Sequence, residues 1–297
     1  MSAILGAHMS IAGGYHRAVE RALAAGCECL QIFTKNNNQW RAKTITQEQA
    51  QRFRQAVQAS AIQATLAHDS YLINLASPDR ALWKRSVNGF IEELQRADLL
   101  GIPFVVTHPG AHTTSSEERG LRNVVLAIDE IHRQTADLRA ECLLETTAGQ
   151  GTALGWRFEQ LAAILDRVQE PDRLGICFDT CHVFAAGYSM AEKKDYRATI
   201  RQFDRCIGIG RIRAFHLNDS LREIGSRVDR HAHIGRGKMG LAPFRNLLTD
   251  RRFRGVPMYL ETPKGKEHGQ DLDRINLETL RGLNGPGEQP VGPPSSG

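Results

Sequence analysis

The sequence predicts an α/β fold, a single (β/α)8 TIM barrel, from three observations: strand-like and helix-like segments alternate, there are eight strands, and their spacing is even. Short apolar runs bounded by polar residues or glycine predict the strands. They read AILGAHMS, CLQIFT, ATLAHDS, PFVVTHPG, ECLLETT, GICFDTCH, IRAFHLND and PMYLET. The segments between them carry apolar residues at helical intervals, as at Leu121, Val124, Val125 and Ile128.

The polar residues that end the predicted strands recur regularly. In chain order they are His8, Thr34, His68, His108, Glu145, Asp179, His216 and Glu261. Consecutive members are on average about 36 residues apart, and a strand-helix-strand unit needs at least about 30. The 297 residues also suffice for this barrel, which commonly takes about 250. We therefore predict an active site at the carboxyl ends of the strands, where these residues converge.

One domain is predicted to span residues 1–283, because no Pro- or Gly-rich linker interrupts the series of strands. The remaining segment, residues 284–297, reads NGPGEQPVGPPSSG. Its Pro, Gly and Ser content cannot bury enough apolar surface to order a chain, so we predict a disordered tail.

The composition, with 41% hydrophobic and 24% charged residues, is that of an ordinary globular protein. No run approaches the roughly 18 apolar residues of a membrane span. The N-terminus lacks the basic and apolar regions of a secretory signal, and the six cysteines include no C-x-x-C pair. These features predict a cytoplasmic protein. The net charge of +5 suits a polyanionic partner without requiring one.

Seven of the eight strand-end residues are His, Asp or Glu. A solvated barrel rim would hold a wider mixture of polar residues and glycine, so this bias indicates metal ligands. A single histidine at a strand end is more often a hydrogen-bonded structural residue than a ligand. The recurrence of His68, His108 and His216 at one level of the barrel favours the ligand interpretation. His8 is predicted to support the ligands, whereas His132 is predicted to be exposed on a helix.

Two further groups follow predicted strand ends, one in the motif DTCH and the other in the D-x-H of VDRHAH. The predicted ligands are then His68, His108, Glu145, Asp179, His182, His216, Asp229, His231 and Glu261. Five imidazoles with four carboxylates favour zinc over magnesium. At about three protein ligands per catalytic zinc, they predict about three ions. Such clusters stabilise in-line displacement at phosphorus, so we predict phosphoester hydrolysis.

Longer motifs are similar to those of a known family. They read GAHMSIAGG, FTKNNNQW, HDSYLINLAS, THPGAH, ETTAGQG, GICFDTCHVFAAGY, FHLNDS, DRHAHIGRG and YLETP. Together they span residues 4 to 263 and resemble the endonuclease IV family of apurinic/apyrimidinic endonucleases. The resemblance implies a metal-dependent phosphodiesterase of base excision repair. Such an enzyme cuts duplex DNA 5′ to an abasic site and leaves 3′-hydroxyl and 5′-deoxyribose phosphate ends.

The resemblance also implies three Zn2+ ions per chain, with Mn2+ as the alternative at one site. The implied ligands are His68, His108 and Glu145 for the first ion, Glu145, Asp179, His216 and Glu261 for the second, and His182, Asp229 and His231 for the third. Glu145 would bridge two ions and, with Glu261, would be catalytic. We expect a monomer whose partner is double-stranded DNA with abasic sites, and no membrane association.

Two implied DNA contacts are Tyr71 and Leu72, which match the pair of side chains that the family inserts into the duplex. An abasic site lacks a base on one strand, so its extrusion costs little free energy. The alternative is that both side chains are buried under their loop. The position aligned with Asn38 usually holds an arginine in the family, and asparagine places no cation near the phosphates.

Three basic residues are further candidates for DNA binding. Lys35, or alternatively Gln39, is predicted to compensate for Asn38. Arg236 and Lys238 lie in the segment GRGK beside the third ligand group and are predicted to contact phosphates. A solvated turn explains GRGK almost equally well.

Two other functions remain open from the residues alone. Metal-dependent sugar isomerases and epimerases also use His, Glu and Asp at strand ends, although they usually need one or two ions. A noncatalytic binder of DNA lesions would not require a complete set of nine ligands.

Overall fold

The computed structural model describes residues 3–283, so the predicted tail at 284–297 lies outside the described residues. The strands are β1 (Leu5–His8), β2 (Cys29–Phe33), β3 (Ala64–His68), β4 (Phe104–Thr107), β5 (Glu141–Glu145), β6 (Leu174–Asp179), β7 (Ile212–His216), β8 (Asp219–Ser220), β9 (His231–Ala232), β10 (Met258–Leu260), β11 (Lys266–Glu267) and β12 (Gln270–Asp271). The helices are α1 (Tyr15–Ala25), α2 (Gln47–Gln58), α3 (Arg80–Leu100), α4 (Glu117–Gln134), α5 (Phe158–Leu165), α6 (Thr180–Ala185), α7 (Lys193–Cys206), α8 (Ala242–Leu248) and α9 (Leu272–Gly282).

Eight parallel strands close into a barrel in the order β1-β10-β7-β6-β5-β4-β3-β2. Closure is made by β1, which pairs with β10 on one side and with β2 on the other. The predicted (β/α)8 TIM barrel is thereby confirmed. The four short strands outside the barrel form two antiparallel pairs, β8 with β9 and β11 with β12.

The inside of the barrel is filled by one side chain from each of seven strands. These residues form a separate apolar cluster, namely Cys29, Leu66, Val106, Leu143, Cys177, Ala214 and Tyr259. The eighth strand contributes Gly6, where a Cβ atom would lie only 1.8 Å from the carbonyl oxygen of Cys29. Because alternate residues of a strand point to the same face, the residues two positions further along also point inward. This register determines which side chains reach the carboxyl end of the barrel.

Strand β6 leads directly into a helix. In GICFDTCH the strand ends at Asp179, and the next residues form the short helix α6. The Asp179 side chain caps this helix, because its Oδ1 accepts a hydrogen bond from the backbone N–H of His182 at 2.7 Å. The turn into the helix brings the His182 side chain back over the end of the barrel.

Helix α4 packs on the barrel through the face that its periodicity predicts, with Leu121, Val124 and Ile128 buried. The same face continues to His132, which is 4% exposed, so the prediction of an exposed His132 was wrong. Neither ring nitrogen of His132 has a hydrogen-bond partner among residues 3–283. None of the helices in this part of the chain combines the length and the apolar character needed to cross a lipid bilayer.

The burial of His132 predicts a loss of stability in mild acid. Burial and the nearby Arg173 lower the pKa of His132 from 6.5 to about 4. Between these two values the unfolded chain binds a proton that the folded chain does not, so the free energy of unfolding falls as the pH falls. We expect the variant His132→Leu to lose less stability than wild type across this window, measured by denaturant unfolding at several pH values. The variant His16→Leu, on helix α1, controls for the loss of a histidine. Parallel pH profiles of the unfolding free energy for wild type and His132→Leu would contradict the prediction.

Candidate metal centre

A polar layer lies directly above the apolar layer of the barrel. Its members are the residues two positions after Gly6 and after each apolar-layer residue, namely His8, Gln31, His68, His108, Glu145, Asp179, His216 and Glu261. Seven of these were predicted from the strand ends. The register therefore explains why metal-ligand residue types recur at one level of the barrel.

Nine potential ligands converge into three clusters whose ligand atoms all lie within 4.8 Å of one another in each cluster. The clusters are His68, His108 and Glu145; Glu145, Asp179, His216 and Glu261; and His182, Asp229 and His231. This grouping agrees with the three sets implied by the sequence motifs. The geometry also brings together Asp179, Cys181 and His231, a combination that was not predicted.

Glu145 lies between the first two clusters, and each of its oxygens faces a different set of imidazoles. Oε2 lies 3.2 Å from His68 Nε2 and 3.1 Å from His108 Nε2. Oε1 lies 2.8 Å from His216 Nδ1 and 3.3 Å from His182 Nδ1. The carboxylate can therefore supply one oxygen to each of two neighbouring cations.

Three of the histidine rings are oriented by hydrogen bonds from Nδ1 to backbone carbonyl oxygens. His182 Nδ1 lies 2.8 Å from the Thr146 carbonyl oxygen and His68 Nδ1 lies 3.0 Å from that of Asp69. His231 Nδ1 lies 3.2 Å from the Glu261 carbonyl oxygen. A carbonyl oxygen can only accept, so each of these Nδ1 atoms carries the proton. Each Nε2 lone pair is then directed into the centre, as metal-binding histidines require.

The third cluster fits a cation particularly well. Nε2 of His182 and Nε2 of His231 are buried and have no hydrogen-bond partner among the described residues. They nevertheless lie 3.1 Å and 3.2 Å from the two carboxylate oxygens of Asp229. Two ligands of one tetrahedral zinc ion, at bond lengths of 2.0–2.2 Å, are separated by about 3.3–3.6 Å. The donor types in this cluster and their close approach are therefore compatible with a bound metal ion.

Each cluster has at least one member that solvent can reach, and in the third cluster His231 is 18% exposed in addition to Asp229. The exposed fractions of the side chains are 35% for His108, 17% for Glu261 and 40% for Asp229, against 1% for Glu145. A substrate approaching the carboxyl end of the barrel would meet these three side chains first. This arrangement suits catalytic metal sites, which keep one coordination position open.

Charged neighbours shift the pKa values of Glu145 and His231 against the effect of burial. Burial would raise the pKa of Glu145, but His216 and His108 hold it well below its usual range. Burial would lower the pKa of His231, but the nearby carboxylates of Asp229 and Asp179 raise it to about 9. A cation that binds here must displace protons from such histidines, so its binding is coupled to proton release.

Two amide side chains that support the ligands were missed by the sequence analysis. Asn218 Nδ2 donates to Asp179 Oδ2 at 2.7 Å, and its Oδ1 accepts from the backbone N–H of Glu261 at 2.9 Å. Gln31 occupies the position of β2 in the polar layer and contacts Glu261, His216 and His8. Its position two residues after Cys29 was the signal in the sequence. His8 was predicted to support the ligands, and its contact with them is made through Gln31.

The two residues that follow β2, Thr34 and Lys35, lie outside the polar layer. Thr34 Oγ1 donates to Glu93 Oε2 at 2.5 Å and accepts from Arg96 Nε at 3.0 Å, outside the polar layer. Lys35 is also buried, and its Nζ lies 3.4 Å from Glu93 Oε1 and 3.3 Å from Glu92 Oε2. This placement disagrees with the predicted contact between Lys35 and DNA. Lys35 instead anchors the loop that follows β2 to helix α3.

Three predicted DNA contacts lie on two loops that touch. Tyr71 is 63% exposed and meets the His68 ring at a centroid distance of 6.1 Å, whereas Leu72 is half-buried. Asn38 is exposed, and its backbone N–H donates to Asn36 Oδ1 at 2.9 Å. The alternative that Tyr71 is buried under its loop is therefore wrong.

The GRGK segment is an ordered turn built around a buried carboxylate. Asp219 accepts hydrogen bonds from the backbone N–H of Gly237 at 2.9 Å and of Met239 at 3.0 Å. The two basic side chains are exposed and form ion pairs, Arg236 with Glu267 at 2.6 Å and Lys238 with Glu223 at 2.7 Å. Exposed pairs of this kind contribute little stability, so both cations can exchange partners with phosphates.

Sequence and structure comparisons give a consistent result. The family model described as a xylose isomerase-like TIM barrel matches residues 19–283. A protein called probable endonuclease 4 from Trichlorobacter lovleyi is 51% identical over 283 residues, which cover 95% of this chain and all of that protein.

Solved structures extend the comparison. Endonuclease IV from Thermus thermophilus superposes with a TM-score of 0.82 and 37% identity, covering 94% of this chain and 98% of that one. A D-tagatose 3-epimerase-like protein superposes with a TM-score of 0.71 over 95% of this chain and 97% of that one, at 18% identity. Identity at this level shows a shared fold alone.

The buried ion pair of Lys35 leads to a prediction about stability. In Lys35→Met the buried Glu93 carboxylate loses its cation, and breaking such a pair typically costs about 3 kcal/mol of unfolding free energy. We expect a loss of this order in urea unfolding. Lys43→Met, an exposed change in the same loop, should alter stability by less than about 0.5 kcal/mol. Equal and small effects of the two changes would show that Lys35 does not anchor the loop.

Proposed function

Because the chain belongs to the endonuclease IV family of nucleases, we propose that it is a zinc-dependent DNA repair enzyme that hydrolyses the phosphodiester bond 5′ to an abasic site in duplex DNA. Its products are a 3′-hydroxyl and a 5′-deoxyribose phosphate, as base excision repair requires. The observation that carries this proposal is the convergence of nine ligand side chains into three clusters, two of which share Glu145.

The three clusters would hold three Zn2+ ions, with Mn2+ as the alternative at one of them. Five of the nine donors are imidazoles, which suit zinc better than magnesium or calcium. When bound, zinc ions supply a water of lowered pKa and positive charge for the phosphate oxygens. Clusters at neighbouring strand ends would place that charge on both sides of one phosphodiester.

Glu145 and Glu261 are the proposed catalytic carboxylates, with different tasks. Glu145 is buried, and its two oxygens keep the first and second clusters at a fixed separation. Glu261 is the solvent-accessible carboxylate of the second cluster, and its Oε2 lies 3.1 Å from His216 Nδ1. It is therefore the carboxylate best placed to hold a proton of the attacking water or to orient the phosphate.

Tyr71 and Leu72 would fill the space that an extruded abasic nucleotide leaves in the duplex. Tyr71 stands in solvent above the first cluster, and its ring packs edge-on against Phe33 at a centroid distance of 5.5 Å. This packing supports the ring at its base while its hydroxyl end is free to enter the helix. Asn38, on the adjacent loop, would contact the duplex through its amide.

Arg236 and Lys238 would bind the phosphate backbone next to the third cluster. Both cations are exposed and lie on the turn that Asp219 orders. Phosphate contacts of this kind add affinity but no sequence preference, which suits an enzyme that must act wherever a base has been lost. One domain with all three clusters on a single barrel would act as a monomer.

The direct test is incubation with an end-labelled duplex that contains one abasic site, followed by analysis of the new termini. We expect cleavage 5′ to the site, its loss after chelation and its return with zinc. Glu145→Gln should reduce the rate by at least about 1,000-fold, since it removes the shared carboxylate from two clusters. Its far-UV circular dichroism should match wild type. Tight binding of abasic DNA without cleavage in zinc-replete buffer would favour a lesion-binding protein, and full activity of Glu145→Gln would contradict the mechanism.

A second prediction concerns Tyr71. Tyr71→Ala should weaken binding to abasic duplex by roughly 1–3 kcal/mol, the usual value of one base-stacking side chain, with unchanged metal content. Tyr71→Phe should bind like wild type. Leu126→Ala removes another exposed apolar side chain, on helix α4, and is the matched control. Unchanged affinity of Tyr71→Ala for abasic duplex would exclude the insertion of this side chain.

A further inference from the structure

Gln31 lies in the polar layer of the barrel but is not one of the nine potential ligands. Its side chain is completely buried, and it contacts three neighbours, His216, Glu261 and His8. An apolar side chain would fill the same space at lower desolvation cost. The presence of an amide at this position therefore needs a reason beyond the packing of the barrel.

The amide oxygen determines which nitrogen of His216 is free. Gln31 Oε1 lies 2.7 Å from His216 Nε2. Because this oxygen can only accept, Nε2 must carry the proton and donate it. The nitrogen of His216 left for a metal ion is then Nδ1, which lies 2.8 Å from Glu145 Oε1 and 3.1 Å from Glu261 Oε2.

The amide nitrogen determines which oxygen of Glu261 is free. Gln31 Nε2 donates to Glu261 Oε1 at 2.6 Å, and its second hydrogen is directed at His8 Nδ1, 2.9 Å away. The opposite orientation of the amide would place Oε1 against the Glu261 carboxylate, so that two acceptors would face each other. With Oε1 held in this way, Glu261 presents Oε2 to the second cluster.

We propose that Gln31 is a positioning residue for the zinc site formed by Glu145, Asp179, His216 and Glu261. It acts on two of these ligands at once, because it sets the tautomer of His216 and the rotation of the Glu261 carboxylate. The inference rests on one part of the proposed function, namely that this cluster binds zinc. Without the amide, a buried Nε2–H group and the Glu261 Oε1 atom would lose their partners.

Gln31→Met tests the proposal, because methionine matches glutamine in length and volume but forms no comparable hydrogen bonds. Gln160→Met is the matched control: Gln160 is also a buried amide, but it lies on α5 and accepts from the backbone N–H of Gly155 at 2.9 Å. Zinc affinity is measured by competition with a chromophoric chelator. We expect one ion to bind about 10–100-fold more weakly in Gln31→Met, the usual effect of removing a group that orients a ligand. Gln160→Met should bind zinc like wild type.

Gln31→Glu adds a second readout, the proton on His216 Nε2. This readout would not depend on residue 31 if Gln31 only filled space. Glutamate can still accept from His216 Nε2–H, whereas it can donate to Glu261 only in its protonated form. In proton NMR spectra of the zinc-loaded protein, the His216 Nε2–H signal should be downfield and slow to exchange in wild type and in Gln31→Glu. It should shift upfield and exchange rapidly in Gln31→Met. Loss of the signal in Gln31→Glu would overturn the proposal even if Gln31→Met did not fold.

The outcomes separate this inference from the proposed function. Wild-type protein that binds no zinc would overturn both. Wild-type protein that binds zinc, together with Gln31→Met of equal affinity, would overturn the role of Gln31 alone. Equal losses of affinity in Gln31→Met and Gln160→Met would also overturn it, because any buried amide would then have the same effect.

Discussion

The shared carboxylate of Glu145 is the interaction on which the centre depends. Its two oxygens face imidazoles from four other segments, at distances of 2.8 to 3.3 Å. Such an arrangement requires the strands to hold their relative positions to within a fraction of an ångström. A closed barrel provides this rigidity, because each strand is hydrogen-bonded to a neighbour on both sides.

The apolar layer beneath the centre affects the energies of the ionisable groups that are buried above it. Each ligand-bearing barrel strand places a residue such as Leu66, Leu143 or Cys177 in the packed interior and the ligand two positions later. The low polarity of that interior strengthens every charge interaction above it. It also makes an unpaired polar group expensive, which explains why the ligands are supported by carbonyl oxygens and by the amides of Gln31 and Asn218.

The third cluster depends on loops more than on the barrel itself. His182 is placed by the short helix α6, and Asp229 and His231 are placed by the β8–β9 ladder and the loop between its strands. The backbone N–H of Arg227 donates to the Ala185 carbonyl oxygen at 2.9 Å, which ties this loop to α6. Loops at the carboxyl ends of the strands can therefore add side chains to the centre without changing the barrel.

The sequence by itself predicted the barrel and the side chains that converge in the candidate metal centre. Both depend on local periodicity and on residue type at the strand ends, which a linear pattern contains. Only the tertiary structure decided which residues contact one another across the barrel. Thr34 was taken as the end of β2, but the period of two from Cys29 places Gln31 in the polar layer instead. Lys35 was predicted to contact DNA and His132 to be exposed. Lys35 is instead buried against Glu93, and His132 lies on the buried face of helix α4. Burial of a polar group depends on partners distant in sequence, and those partners meet only when the barrel closes.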